Sequence, residues 1–163
     1  MAGFHTKTFQ KHDDYMTDLK TWESIIHLVP DNYKIWSPFY GDGKQKEHFK
    51  KLGFNIIHKK KDFFTYEPED YDIIIDNPPF SCKKEVFTRL KELDKPFIII
   101  CPSSMINTVY IRNLFANDKL QIMIPRRRIQ FIKDGIEKNN RCNFDCFFYC
   151  YKMNFNRDII FLN

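Results

Sequence analysis

Residues 76–80 read Asp-Asn-Pro-Pro-Phe and close an apolar run, Tyr71-Asp72-Ile73-Ile74-Ile75. This order of residue types suits one chemical task, making an aromatic amine nucleophilic. The lone pair of such an amine is delocalised into its ring, so the nitrogen is nearly planar and attacks poorly. The side-chain oxygen of Asn77 and the carbonyl of Pro78 can each accept one of its two N–H bonds, letting the lone pair leave the ring plane. Pro78 and Pro79 fix φ and remove backbone donors that would compete for those acceptors. Phe80 is placed to lie against the face of the base. A rigid turn that merely stops a strand would use Pro-Pro as well. Against that plain reading stands the cost of a polar Asn directly after Ile-Ile-Ile-Asp unless it has partners. The chemistry expected is amino-group methyl transfer.

A second loop matters with it. Pro38-Phe39-Tyr40-Gly41-Asp42-Gly43 separates a short strand, Lys34–Trp36, from a helix over residues 44–52. Gly41 and Gly43 allow the backbone to approach a ligand, and the following helix offers free N–H groups. A tight strand-to-helix connection would account for this turn equally well. Both loops fall where open α/β sheets bind ligands, outside the carboxyl ends of strands.

The elements that must position these loops follow from periodicity and punctuation. Thr17 is expected to cap a helix over residues 18–29, with Leu19, Trp22, Ile25, Ile26 and Val29 on one face. Residues 55–58 form a second strand, residues 71–76 a fully apolar one of the buried parallel kind, and residues 96–101 another. Helices are expected over Lys83–Leu93 and residues 106–116. Strands alternating with helices imply right-handed β-α-β units and a Rossmann-like, doubly wound, mainly parallel sheet. After residue 120 the rhythm changes to consecutive strands, at residues 120–124, 128–132 and 144–153, which predicts a C-terminal antiparallel hairpin. The tail from Asn154 is ambiguous. No repeat, linker or domain boundary is visible, so residues 1–163 read as one catalytic domain without a separate target-recognition domain.

Composition narrows the class. The chain has 163 residues, 43% of them apolar and 29% charged, in keeping with a packed core. No apolar stretch approaches the ~20 residues that span a bilayer, and the amino terminus lacks the apolar core of a signal peptide. The expectation is a cytoplasmic protein with no membrane association. A net charge of +5 is compatible with a polyanionic partner without requiring one. The five cysteines lie at 82, 101, 142, 146 and 150. On a strand, Phe144, Cys146, Phe148 and Cys150 share one face, which makes those cysteines small core residues. No Cys-x-x-Cys pair or suitably spaced His completes a zinc site, so no metal is expected.

Taken together, the motifs resemble the S-adenosylmethionine-dependent N6-adenine methyltransferases of restriction-modification and phage type. The resemblance covers roughly residues 11–132. Asn77–Phe80 matches the family's catalytic Asn-Pro-Pro-aromatic signature at every position. Tyr15-Met16-Thr17 resembles its Tyr-x-Thr motif at the methionine end, with Asp18 where Pro is usual. Ser37–Gly43 resembles the acidic-Pro-Phe-x-Gly-x-Gly loop, with Ser37 at the acidic position. Asp62-Phe63-Phe64 is similar to the Asp-Phe-Phe in which Asp holds the cofactor's adenine amine and Phe packs near its ring. His58 or Lys59 stands where an acidic residue usually meets the ribose. Motif order, cofactor end first, resembles the gamma arrangement. The resemblance implies S-adenosyl-L-methionine as cofactor, held by Tyr15, Thr17, Pro38, Phe39, Tyr40, Gly41, Gly43, Asp62, Phe63 and Asn77. It implies direct displacement onto the adenine N6 of DNA, with the base extruded or already single-stranded.

Basic clusters flank this region. Lys59-Lys60-Lys61, Lys83-Lys84 and Arg126-Arg127-Arg128 could neutralise phosphates, and each could equally be a solvated charge run. Lys83, Lys84 and the three arginines, with Phe80 on the base, are the expected substrate-binding residues. Lys138, Asn139, Asn140 and Arg141 form a polar turn that could also touch nucleic acid. Sequence specificity would then come from short loops, a second copy of the chain or a partner subunit. Three rival readings share these residues: the same chemistry on RNA, methylation of a protein glutamine amide, and a catalytically silent binding subunit. A cytosine-C5 mechanism would need a nucleophilic Cys after Pro, whereas Cys101 precedes Pro102.

Overall fold

Every residue of Ile73–Asp76 and Phe97–Pro102 is buried. Isoleucine-rich runs without polar alternation are what a parallel strand covered on both faces requires. The computed structural model describes residues 15–133, 136–137 and 145–163. In chain order its elements are β1 (Met16–Thr17), α1 (Leu19–Ile26), β2 (Ile35–Trp36), α2 (Gln45–Lys51), β3 (Ile56–Ile57), β4 (Ile73–Asp76), α3 (Lys83–Leu93), β5 (Phe97–Pro102), α4 (Val109–Phe115), β6 (Leu120–Ile124), β7 (Phe131–Lys133), β8 (Ile136–Glu137), β9 (Cys146–Tyr151) and β10 (Ile159–Phe161). Cys142, Phe144, Lys138, Asn139, Asn140 and Arg141 lie outside the described residues.

The fold is a Rossmann-like α/β arrangement. Seven strands form one mixed sheet in the order β10-β6-β9-β5-β4-β2-β3. β3, β2, β4 and β5 pair in parallel. β9 runs against both β5 and β6, and β10 lies parallel to β6. The carboxyl ends of β2, β3, β4, β5, β6 and β10 therefore share one edge. A small antiparallel sheet, β1-β7-β8, is separate from the large one. The consecutive strands expected after residue 120 do pair antiparallel, but with other partners: β7 pairs with β8 and β1, while β9 pairs with β6 and β5 inside the large sheet.

Helix boundaries follow local chemistry. Asp18, not Thr17, caps α1: its Oδ1 accepts the Thr21 N–H at 2.9 Å and the Thr21 hydroxyl at 2.6 Å. Trp22 and Ile25 bury the inner face of α1, and Trp22 Nε1 donates to Gln45 Oε1 at 2.5 Å to tie it to α2. α3 spans the expected residues, buries Val86, Phe87 and Leu90, and ends at Asp94 in the left-handed region with φ 53°. Each such buried apolar side chain contributes roughly 1.5–3 kcal/mol through burial.

The tail is fixed by one buried amide. Gln121 Nε2 donates to the carbonyls of Phe155 (2.9 Å) and Arg157 (2.7 Å), and its Oε1 accepts the Phe155 N–H at 2.9 Å. That holds residues 155–157 against β6 and lets β10 pair beyond them. Cys82, Cys101, Cys146 and Cys150 are buried, and for Cys146 and Cys150 this is what the alternation along β9 implies. No helix among the described residues is long and apolar enough to cross a membrane.

Candidate active site

β2 and β4 are neighbours, with Ile35 opposite Ile73 and Trp36 opposite Ile74. Their carboxyl-end loops, 37–43 and 77–80, consequently lie side by side. Asp76, the last residue of β4, is 1% exposed and joins them. Its Oδ2 accepts from the Ser37 hydroxyl at 2.9 Å and the Phe39 N–H at 2.6 Å; its Oδ1 accepts the Asn77 N–H at 2.7 Å. Burial pushes the Asp76 carboxyl up to about 7, while these three donors pull it down. The charged form is disfavoured by lost hydration and favoured by every donor it meets.

Asn77 is held by its nitrogen. Nδ2 donates to the carbonyl of Tyr15 at 3.0 Å. Oδ1 is shielded from solvent and accepts no hydrogen bond. The donor side of the amide being engaged fixes which way it points. A shielded acceptor without a donor costs about 1–3 kcal/mol, a penalty that a structural turn has no reason to carry. Thr17 Oγ1, two residues beyond Tyr15, is likewise buried without a partner. Phe80 is 9% exposed and meets Phe131 of β7 edge-on at 6.2 Å, and the Tyr15 ring also meets Phe131 edge-on, at 6.0 Å. Lys83 Nζ donates to the Phe80 carbonyl at 2.7 Å. Lys83 therefore supports the loop from the start of α3.

The glycine turn is strained in the way its residues permit. Gly41 and Gly43 have φ of 54° and 80°, where side chains are disfavoured. A Cβ on Gly41 would lie 2.6 Å from Met16 Sδ, and one on Gly43 would lie 2.9 Å from the Tyr40 hydroxyl. Met16 of β1 thus lies over the turn. Beneath it, His58 follows β3 with Nδ1 2.8 Å from the Ser37 carbonyl and Nε2 3.1 Å from that of Tyr40. The Tyr40 ring stacks on this imidazole at 5.0 Å. Pro38 is buried and Phe39 half-buried. Asp62 uses Oδ1 to accept the Phe64 N–H at 2.9 Å. Phe63 is 3% exposed, packed on Trp36 at 5.6 Å and Phe39 at 5.0 Å. It forms the floor of the region, whereas Phe64 is half-buried beside it.

The predicted substrate residues separate into two places. Lys83 and the exposed Lys84 sit with the Asn77 loop. Arg126–Arg128 follow β6 on the same sheet edge, three strands away, about 14 Å at ~4.8 Å per strand. They border a hollow of 510 Å³ whose lining includes Lys20, Thr21 and Ser24 but none of Asn77–Phe80. Arg126, Arg127 and Arg128 are all exposed, and Arg128 Nε donates to Asp145 Oδ1 at 2.6 Å. Lys59, Lys60 and Lys61 are also exposed, with Lys61 Nζ 6.0 Å from the Tyr66 ring. Burial pushes the Cys101 thiol well above its usual range, which suits a core residue and not a nucleophile.

Sequence reasoning passed over Asp76 as a site residue. The argument it applied to Asn77, a polar group after three isoleucines needs partners, applies with more force to a carboxylate. It also missed the two carbonyls around His58 and the contact of Phe131 with Phe80, since neither has a local signal.

No protein-family model matches the chain, and no curated protein matches it. Among solved structures it is similar to the crystal structure of TrmN from Thermus thermophilus, at a TM-score of 0.39 and 10% sequence identity. That likeness covers 79% of this chain and 47% of the other, so the chain spans about half the length of that structure. At such a level, function has to be read from the residues themselves.

Proposed function

We propose that this chain transfers a methyl group from S-adenosylmethionine to the exocyclic N6 amine of adenine in DNA. The observation that carries the reading is Asn77 Oδ1, a shielded acceptor left open while its own amide nitrogen is tied to Tyr15. An incoming amine hydrogen is the partner this oxygen lacks, and to reach it the groups that shield Oδ1 in this structure have to move aside. The Pro78 carbonyl, next in the chain, would take the second hydrogen, so that the amine's lone pair turns out of the ring.

The residues around the glycine turn fit the donor. Thr17 Oγ1 offers an unpartnered hydroxyl for the methionine end. The positive φ of Gly41 and Gly43 brings backbone close to the space beside β2. Met16, whose flexible side chain lies over Gly41, is the group that has to give way. Asp62 and Phe64 border the adenine end, and Phe63 supports them from below. S-adenosylmethionine, when bound, supplies a methyl group on a sulfonium that leaves with the C–S electrons. The surplus amine proton passes to water. Nothing in this scheme asks for a covalent link to the protein, so the rate depends on placement. The chain acts as a single catalytic domain, with Arg126 and Arg127 meeting phosphates beyond the target base.

The test is radiolabelled methyl transfer to matched DNA, RNA and protein substrates, followed by nucleoside and amino-acid analysis. Label in N6-methyladenine of DNA is expected. Label in RNA adenine or in glutamine would replace the substrate class, and no label anywhere would remove the reading.

A further inference from the structure

Asp76 has no part in the chemistry just described, yet it is the most committed polar group of the site. Its two oxygens receive three hydrogen bonds, one from its own loop at Asn77 and two from the neighbouring loop at Ser37 and Phe39. Two of the donors are backbone N–H groups, so the bonds fix main chain and not mobile side chains. None of the three donors is a cation. We infer that Asp76 is a positioning residue that registers the glycine turn against the Asn77 loop, and so sets where a bound methyl donor stands relative to the amine acceptors.

This inference deepens the methyl-transfer reading and rests on it for its catalytic consequence; the latch itself does not. The family resemblance places an acidic residue at position 37, on the turn. Here Ser37 occupies that position and donates to a carboxylate reaching over from β4. The acid at this junction is carried by β4, the strand that leads into Asn77, and that is what couples the two loops.

The form of the carboxyl decides how firm the latch is. Ionised, Asp76 accepts all three bonds with charge assistance. Protonated on Oδ1, it keeps the partners but loses that assistance; protonated on Oδ2, it gives up a donor as well. With burial raising it to about 7, both forms are populated near neutral pH. Titratable groups on the neighbouring elements include His58 after β3, Tyr40 on the turn, Tyr15 before β1, Cys101 on β5, and Lys83, Lys84, Glu85, Arg89, Lys91 and Glu92 on α3. None of them bonds the Asp76 carboxyl.

The experiment follows amide signals of the whole chain by NMR as pH is raised from about 5 to 9, without cofactor or substrate. The N–H groups of Phe39 and Asn77 should titrate together with one midpoint near 7. Ser37→Ala, which removes one donor to the ionised form, should move that shared midpoint upward. Methyl transfer by the unmodified protein should rise with pH through the same midpoint. Independent midpoints, or no titration of these two amides, would overturn the latch whatever the protein catalyses. Shared titration with a rate indifferent to it would overturn the positioning role. Shared titration in a protein that methylates nothing would leave the latch standing and remove the methyl-transfer reading instead.

Discussion

The two basic-and-polar regions on the sheet's carboxyl edge are built on opposite principles. At β2 and β4 the polar groups are buried and short-range, with Asp76 holding two loops while Asn77 Oδ1, and Thr17 Oγ1 nearby, are shielded without a partner. At β6 the arginines are exposed, and Arg128 is already bonded to Asp145. A buried network in low dielectric costs free energy wherever it is incomplete, so an open acceptor there is informative. Exposed cations can sit anywhere on a surface at little cost, so their presence alone says little. Geometry therefore constrains the role of the β4 region, whereas the role of the β6 arginines rests on measured binding. If both serve one polynucleotide, the ~14 Å between them corresponds to about four nucleotide steps along a strand.

The sharpest way to break this contrast is Asn77→Ala. Methyl transfer should fall by roughly a hundredfold or more, while cofactor affinity by calorimetry stays nearly unchanged. Turnover retained at the original rate would return Asn77 to the status of a turn residue.

Asp76 gives the next effect, through stability. Its folded value of about 7 lies above the ordinary 3.8 of an unfolded chain. Its contribution to stability is therefore complete below pH ~4 and is lost as the pH rises through 7. Relative to Asp76→Asn, the unmodified protein should lose about 2 kcal/mol between about pH 5.5 and 8.5. Denaturant melts of both proteins at the two pH values check this; a constant difference would mean the carboxyl titrates alike folded and unfolded. The ionised form that best holds the loops is the form that folding favours least.

Replacing Arg126 and Arg127 with Ala should weaken oligonucleotide binding about tenfold and lower the salt slope by about 2. An unchanged slope would assign them to ordinary surface and confine the substrate to the β4 region. Gly41→Ala should cost the least, about 1 kcal/mol, because its φ of 54° disfavours a side chain while Met16 can yield. A melting shift of a few degrees is the expected reading.

What could be read from the sequence was local. The isoleucine run predicts β4, the Gly-x-Gly turn needs positive φ, and α3 begins and ends where its pattern does. What could not be read was set by distant partners. β9 looks like any apolar strand, and nothing in it says that it enters the sheet backwards between β5 and β6. β1 and β7 are two and three residues long, and each is defined by pairing with distant residues: β1 with β7, and β7 with β8 as well. The tail depends on Gln121, a polar residue that would normally be counted as surface. Asp76 was visible and misjudged, since its three donors come together only once β2 lies beside β4.

The most direct test is a crystal structure of the protein with a non-reactive donor analogue and an adenine-containing oligonucleotide. The extruded adenine's amine nitrogen should stand about 2.9 Å from Asn77 Oδ1, within reach of the Pro78 carbonyl as well. An adenine bound elsewhere, or Oδ1 satisfied by a donor from this chain, would contradict the account.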